Sequence, residues 1–346
     1  ANLVDGRTYA LRFRATDKAR NTEDAKSADP QYRQFYFDIS TPTTHIQKPL
    51  NTLAYNSLST LSGTSADNLL ASNSINIVEY TLYVDTGGYY NSATQNFNSA
   101  SPLYNAATPD LADWSQWHFD SVPFVTGRRY TLATRATDKA GNSENSFSVS
   151  VNSVTFVYDV TPPVAGIIEP SGPREVNVPT LTGTAADLPA TGNQLLNGVQ
   201  VRIRQDSPFQ DVNNQFNKFW VPGTFSPPQF SLDSNSSEWF ETASGNSFLN
   251  WSSATFAQTF FVNNASYSVI VRARDAAGNY SAVYSTNSFI ADRSLPSSFV
   301  SIPSSSVISG IPGGALSGTA SDLGLGTVQF SSIAIKNLNT GLWFDN

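Results

Sequence analysis

Chemistry in this sequence would have to come first from its acidic residues. Asp38, Asp67 and Asp138 make one set and Asp159, Asp187 and Asp275 a second, with Asn142 and Asn279 shortly after the last member of each. Carboxylate and amide oxygens are hard ligands. Three carboxylates brought together repel one another unless a hard cation sits among them, and outside a cell that cation is calcium. The alternative is local: each aspartate accepts backbone N–H groups in an Asx-turn or finishes a strand. A second chemistry belongs to Trp114, Trp117, Trp220, Trp239 and Trp251, because indole faces stack on sugar rings and could form a glycan-binding surface. Aromatic residues at matched places in a repeat also serve as core and loop packing. His45 and His118 stand without a cysteine or a second histidine at ligand spacing, which makes them surface residues rather than a base or a zinc ligand. No serine lies in Gly-x-Ser-x-Gly and no glycine-rich phosphate loop follows a strand, so the chain reads as non-catalytic.

The aspartates owe their grouping to an internal repeat. Tyr9, Arg14, Ala15, Asp17 and Asn21 return at the same spacing as Tyr130, Arg135, Ala136, Asp138 and Asn142, and again as Tyr267, Arg272, Ala273, Asp275 and Asn279. A second marker, Leu-x-Gly-Thr, begins at Leu61, Leu181 and Leu316, and is followed by Asp67, Asp187 and Asp322. A third is an aspartate shortly before proline: Asp38 before Pro42, Asp159 before Pro162 and Pro163, Asp292 before Pro296. Proline fixes φ and removes a donor, so a sheet ladder stops there and a stiff connection begins. The divisions predicted are 1–40, the end of one domain; 41–160 and 161–293, two complete domains; and 294–346, the front of another.

Within each division apolar and polar residues alternate with period two, as in Tyr130 to Ala136, Val199 to Gln205 and Tyr267 to Ala273, which is the pattern of half-buried antiparallel strands. The segment after each of Asp17, Asp138 and Asp275 reads as a hairpin loop in which Gly141 and Gly278 supply positive φ. Arg20 replaces that glycine in the first copy, which predicts strain or a different turn. The fold class expected is all-β, a linear array of immunoglobulin-like antiparallel β-sandwiches. In that topology the linker into a domain, the loop after its second strand and the loop between its last two strands share one end, so each aspartate trio gathers at a joint. Residues 86–118 and 205–256 exceed what a sandwich of about 100 residues needs, and predict long loops or an added hairpin.

Bulk composition narrows the setting. With 346 residues, a net charge of −7 and only 14% charged residues, the chain carries no basic field for a phosphate backbone. It has no cysteine, hence no disulfide, and no apolar run long enough to span a membrane as a helix. Its polar surface of Ser, Thr, Asn and Gln suits an exported repeat protein. The absence of methionine and the part-domains at both ends suggest an internal stretch of a longer chain. Alternatively, the front of one copy pairs with the tail of another, building a filament by strand complementation.

These markers resemble the bacterial immunoglobulin-like repeats of very long surface proteins. Their units open on Asp-x-x-x-Pro, continue to Leu-Ser-Gly-Thr-x-x-Asp and close on Tyr-x-Val-x-x-Arg-Ala-x-Asp-x-Ala-Gly-Asn. The resemblance covers essentially the whole chain and implies an extracellular or cell-surface stalk, shaft or filament whose partners are neighbouring domains. The other function expected is an adhesin region that recognises a glycan or a host protein through the enlarged aromatic loops.

Overall fold

Alternation becomes burial in the longest strands. In Arg128–Asp138, every second residue from Tyr130 to Asp138 is buried while those between face outward. The computed structural model describes residues 2–23, 32–67, 74–188, 195–206, 215–224, 230–231, 238–245, 248–324 and 326–344. The chain forms two compact units. The first holds Ala1–Thr161 with Leu188–Gln194 and Ala276–Asn279, and the second Pro162–Asp187, Leu195–Asp275 and Tyr280–Asn346.

In the first unit one sheet runs Thr108–Pro109, Gln116–Asp120, Thr60–Ala66, Thr43–Lys48. The other runs Ala54–Tyr55, Ser153–Tyr158, Arg128–Asp138, Ile75–Val84, Tyr89–Asn91, Asn96–Ser99. The short strand Ala54–Tyr55 lies parallel to Ser153–Tyr158, and the central pairs are antiparallel. One core joins both sheets, with Ile46, Leu61, Trp117 and Phe119 from the first meeting Leu82, Tyr130, Leu132 and Phe156 from the second. This is the immunoglobulin-like order. The expected insertion at 86–118 is an added hairpin, Tyr89–Asn91 with Asn96–Ser99, that widens the second sheet.

The second unit repeats the plan: Val164–Glu169, Thr182–Ala186, Asn250–Ser252, Ala243–Gly245 in one sheet, and Arg174–Glu175, Ser285–Ala291, Ser266–Asp275, Leu196–Gln205, Phe219–Trp220, Phe230–Ser231 in the other. Its core is separate and includes Leu181, Val201, Trp220, Trp251, Tyr267 and Phe289. Two shorter pieces complete the described chain, the hairpin Arg7–Arg12 with Tyr32–Phe37 in the first unit and the pair Ser297–Ile302 with Ser317–Ser321 in the second.

Two repeat markers acquire physical reasons. The repeated tyrosine accepts a hydrogen bond at its hydroxyl from a backbone N–H five residues upstream, Val4 to Tyr9 at 2.7 Å, Val125 to Tyr130 and Val262 to Tyr267 at 2.8 Å. This tyrosine corner pins the crossover into the strand before the closing hairpin. The glycine of Leu-x-Gly-Thr makes room for an indole: a Cβ on Gly63 would collide with Trp117 and the His45 carbonyl, and one on Gly183 with Trp251 and the Gly166 carbonyl.

Candidate metal centre

The first aspartate trio comes together within the first unit. Asp38 follows Tyr32–Phe37, Asp67 follows Thr60–Ala66, and Asp138 ends Arg128–Asp138. Each offers a carboxylate oxygen within 4.8 Å of the others. Two oxygens bound to one calcium at 2.3–2.6 Å lie no more than about 5 Å apart, so the cluster has the dimensions of a calcium site. Asp38 and Asp138 are buried and Asp67 half-buried.

Asp138 is held by the turn it starts. Its Oδ1 accepts from the Asn142 N–H at 2.8 Å and its Oδ2 from Asn142 Nδ2 at 2.9 Å. That Nδ2 also donates to the Asp38 carbonyl at 3.3 Å. Asn142 therefore faces the cluster with its amide nitrogen. It orients Asp138 and ties it to Asp38, where the sequence suggested a ligand. Asp38 Oδ1 accepts from the Ser40 N–H at 3.1 Å, while Oδ2 is buried with no hydrogen-bond partner. Burial pushes the Asp38 carboxyl above its ordinary range against the opposing Ser40 N–H, and the charges of Asp67, Asp138 and Asp5 push it further the same way. An orphaned buried oxygen among like charges fits a cation site; an Asx-turn alone would account for Asp138 and leave Asp38 Oδ2 unexplained.

The second set divides between the units. Asp187 and Asp275, both in the second, offer carboxylate oxygens within 4.8 Å of each other. Asp159 belongs to the first, where its Oδ1 accepts from Thr126 Oγ1 at 2.7 Å and the Thr161 N–H at 2.9 Å, and its carbonyl from Asn279 Nδ2 at 2.8 Å. That last bond matches the one Asn142 Nδ2 gives the Asp38 carbonyl in the first set. In the first copy the same turn closes on Asp17 and Asn21, and these hydrogen bonds hold the Asp17 carboxyl below its usual range. Arg20 takes φ +70° there, as Gly141 takes +95° and Gly278 +92°. The turn is kept and the arginine is strained into it.

The tryptophans do not make a sugar platform. Trp117, Trp220, Trp239 and Trp251 are 9% exposed or less, and Trp114 packs against the first core. Trp239 is flanked by the guanidinium groups of Arg202 at 4.7 Å and Arg272 at 4.1 Å, so its ring faces are already occupied. His45 is exposed, and His118 contacts Asp110 and Asp120 at the surface.

One buried polar group went unread in the sequence. Glu144 Oε2 accepts from Thr44 Oγ1 at 2.8 Å and from the Ala136 N–H at 3.4 Å, and Oε1 accepts from Asn152 Nδ2 at 2.7 Å. Thr44 Oγ1 lies 2.9 Å from Thr134 Oγ1. The signal available was Glu23, which stands where Glu144 does and accepts from the Ala15 N–H at 3.2 Å.

No family model matches the sequence, and no curated protein does. Among solved structures the chain is similar to a run of titin domains, at 10% identity and a TM-score of 0.38, over 82% of this chain and 74% of that one. It is similar to a tetra-tandem repeat in the extending region of a large adhesion protein, at 16% identity and 0.31, over 93% and 72%. A bacterial ice-binding adhesin of 1.5 MDa matches at 15% identity and 0.27, over 80% and 71%. These scores are low, and the class follows from the strand order: the chain is a tandem array of immunoglobulin-like β-sandwiches. No helix among the described residues is long and apolar enough to cross a membrane.

Proposed function

We propose that this chain is a non-catalytic spacer in a bacterial extracellular or cell-surface protein, a stalk or shaft whose domains have neighbouring domains as their main partners and whose joints take calcium. The observation that carries the reading is the recurrence of one closing device, a tyrosine corner present in all three copies that leads into a hairpin whose turn, in the first two, is held by an aspartate and an asparagine. Such repetition serves a protein that must extend rather than one that must turn over a substrate. In the first unit Asp38, Asp67 and Asp138 would hold the ion, and Asn142 would position them. Asp187 and Asp275 would contribute in the same way in the second unit. Calcium would neutralise three crowded carboxylates and fix the linker after Asp38 to two loops of the following sandwich.

The test is thermal unfolding of the chain during calcium titration. The expected result is a rise in Tm that saturates at millimolar calcium or below and is lost in Asp38→Ala. An unchanged Tm at millimolar calcium would remove the metal from the proposal. Saturable binding of the chain to a glycan array would replace the spacer reading with an adhesive one.

A further inference from the structure

Thr44, Glu144 and Asn152 are a nucleophile, a bridging carboxylate and an amide, each at most 9% exposed. Glu144 touches both partners, Oε2 the Thr44 hydroxyl and Oε1 the Asn152 Nδ2. The Asn152 side-chain oxygen Oδ1 accepts the Ser148 backbone N–H at 2.7 Å, a donor placed where negative charge would develop if the side-chain amide were attacked. The Ile46 N–H to Val151 carbonyl bond, 2.8 Å, and the Thr134 N–H to Asn152 carbonyl bond, 2.9 Å, hold the strand of Thr44 and the residues around Asn152 to one place.

The fold does not require this group. At the matching positions of the second unit stand Ala165 for Thr44, Val271 for Thr134 and Ser281 for Glu144. The backbone around them is the same: Ala165 pairs with Ala185 as Thr44 pairs with Ser65, and the Ser281 N–H donates to Ala273 as the Glu144 N–H does to Ala136. One sandwich closes with apolar groups and a hydroxyl. The other spends a buried carboxylate at the same spot, which costs stability unless it has work to do.

We infer that Thr44 and Asn152 are joined by an intramolecular ester formed by the protein itself, with Glu144 as the acid–base group. Glu144 takes the hydroxyl proton as Thr44 Oγ1 attacks Asn152 Cγ, and the oxyanion forming on Oδ1 is met by the Ser148 N–H. Glu144 then returns the proton to Nδ2, the C–N bond breaks and ammonia leaves. A hydroxyl and a carboxamide become an ester and ammonia, and the carboxyl group ends as it began. Burial pushes the Glu144 carboxyl above its ordinary range, which makes it a stronger base than a surface glutamate. A cleft of about 400 Å³ lined by Thr44, Glu144, Ser148 and Asn152 gives the ammonia a way out.

Intact-mass measurement of the purified chain tests this directly. The expected mass is lower than that of the sequence by one ammonia, about 17 Da, and a digest contains a branched peptide joining the segments around residues 44 and 152, opened by hydroxylamine. Thr44→Ala and Glu144→Ser copy residues the second sandwich already carries at these positions. Both should fold and show the full sequence mass, whereas Thr44→Ser should still lose ammonia. A wild-type chain at full mass overturns the inference. So does a loss of ammonia that persists in Thr44→Ala, which would mark an asparagine succinimide elsewhere.

Discussion

Asp38 sets the sign of the pH dependence at the residue scale. Its carboxyl is raised in the folded state, so without a divalent ion its share of stability is present below the ordinary aspartate value of 3.8 and is lost as pH rises through the elevated value. Calcium reverses this, because ligand carboxylates must be deprotonated to bind it. In chelator, the first unit should lose stability as pH climbs out of the acid range. With calcium at a hundredfold excess over Kd it should instead gain about 3 kcal/mol near neutral pH. Denaturant titrations at several pH values, with and without the ion, check both slopes, and parallel slopes would mean that no ion binds. The hairpin turn offers a cleaner backbone measurement. A Cβ on Gly141 meets nothing within 4 Å, so Gly141→Ala should cost only the penalty of its φ of +95°, about 1–2 kcal/mol in urea unfolding.

Strands and corners were the most legible level, because their patterns are local. Period-two alternation located the long strands, and proline after aspartate marked where ladders end. The repeat gave the aspartates as a set, since all three stand in its markers. It failed where the structure departs from the repeat. Thr44 and Thr134 stand where the other sandwich has Ala165 and Val271, so no repeat marker holds them, and Glu144 recurs only as Glu23 while the second sandwich has Ser281. The sequence left the indoles between a sugar platform and packing because Trp117 and Trp251 are fixed by Gly63 and Gly183 on another strand, a long-range fit that leaves no local pattern. Two substitutions test these elements. Tyr130→Phe leaves the Val125 N–H without its hydroxyl acceptor and should cost about 1 kcal/mol. Gly63→Ala forces a methyl into the Trp117 ring and a backbone carbonyl, and should cost about 3 kcal/mol, with the loss of near-ultraviolet circular dichroism as its sign.

Among the described residues the molecule has two cores that share no residue. Unfolding should therefore proceed in two transitions, and Trp251→Ala should lower one by roughly 3–5 kcal/mol while leaving the other in place; differential scanning calorimetry separates them. The first unit contains one further relation of consequence. The first strand of its sandwich, Thr43–Lys48, is joined to the residues leading into the last, Ser153–Tyr158, by the Ile46–Val151 backbone bond and by the Thr44–Glu144–Asn152 contacts. A domain pulled by its neighbours takes up tension at these two strands. In the proposed spacer, load applied at one end would pass across this clasp to the other before reaching the apolar interior, so the bonds beside Glu144 would set the pulling force at which the sandwich begins to yield.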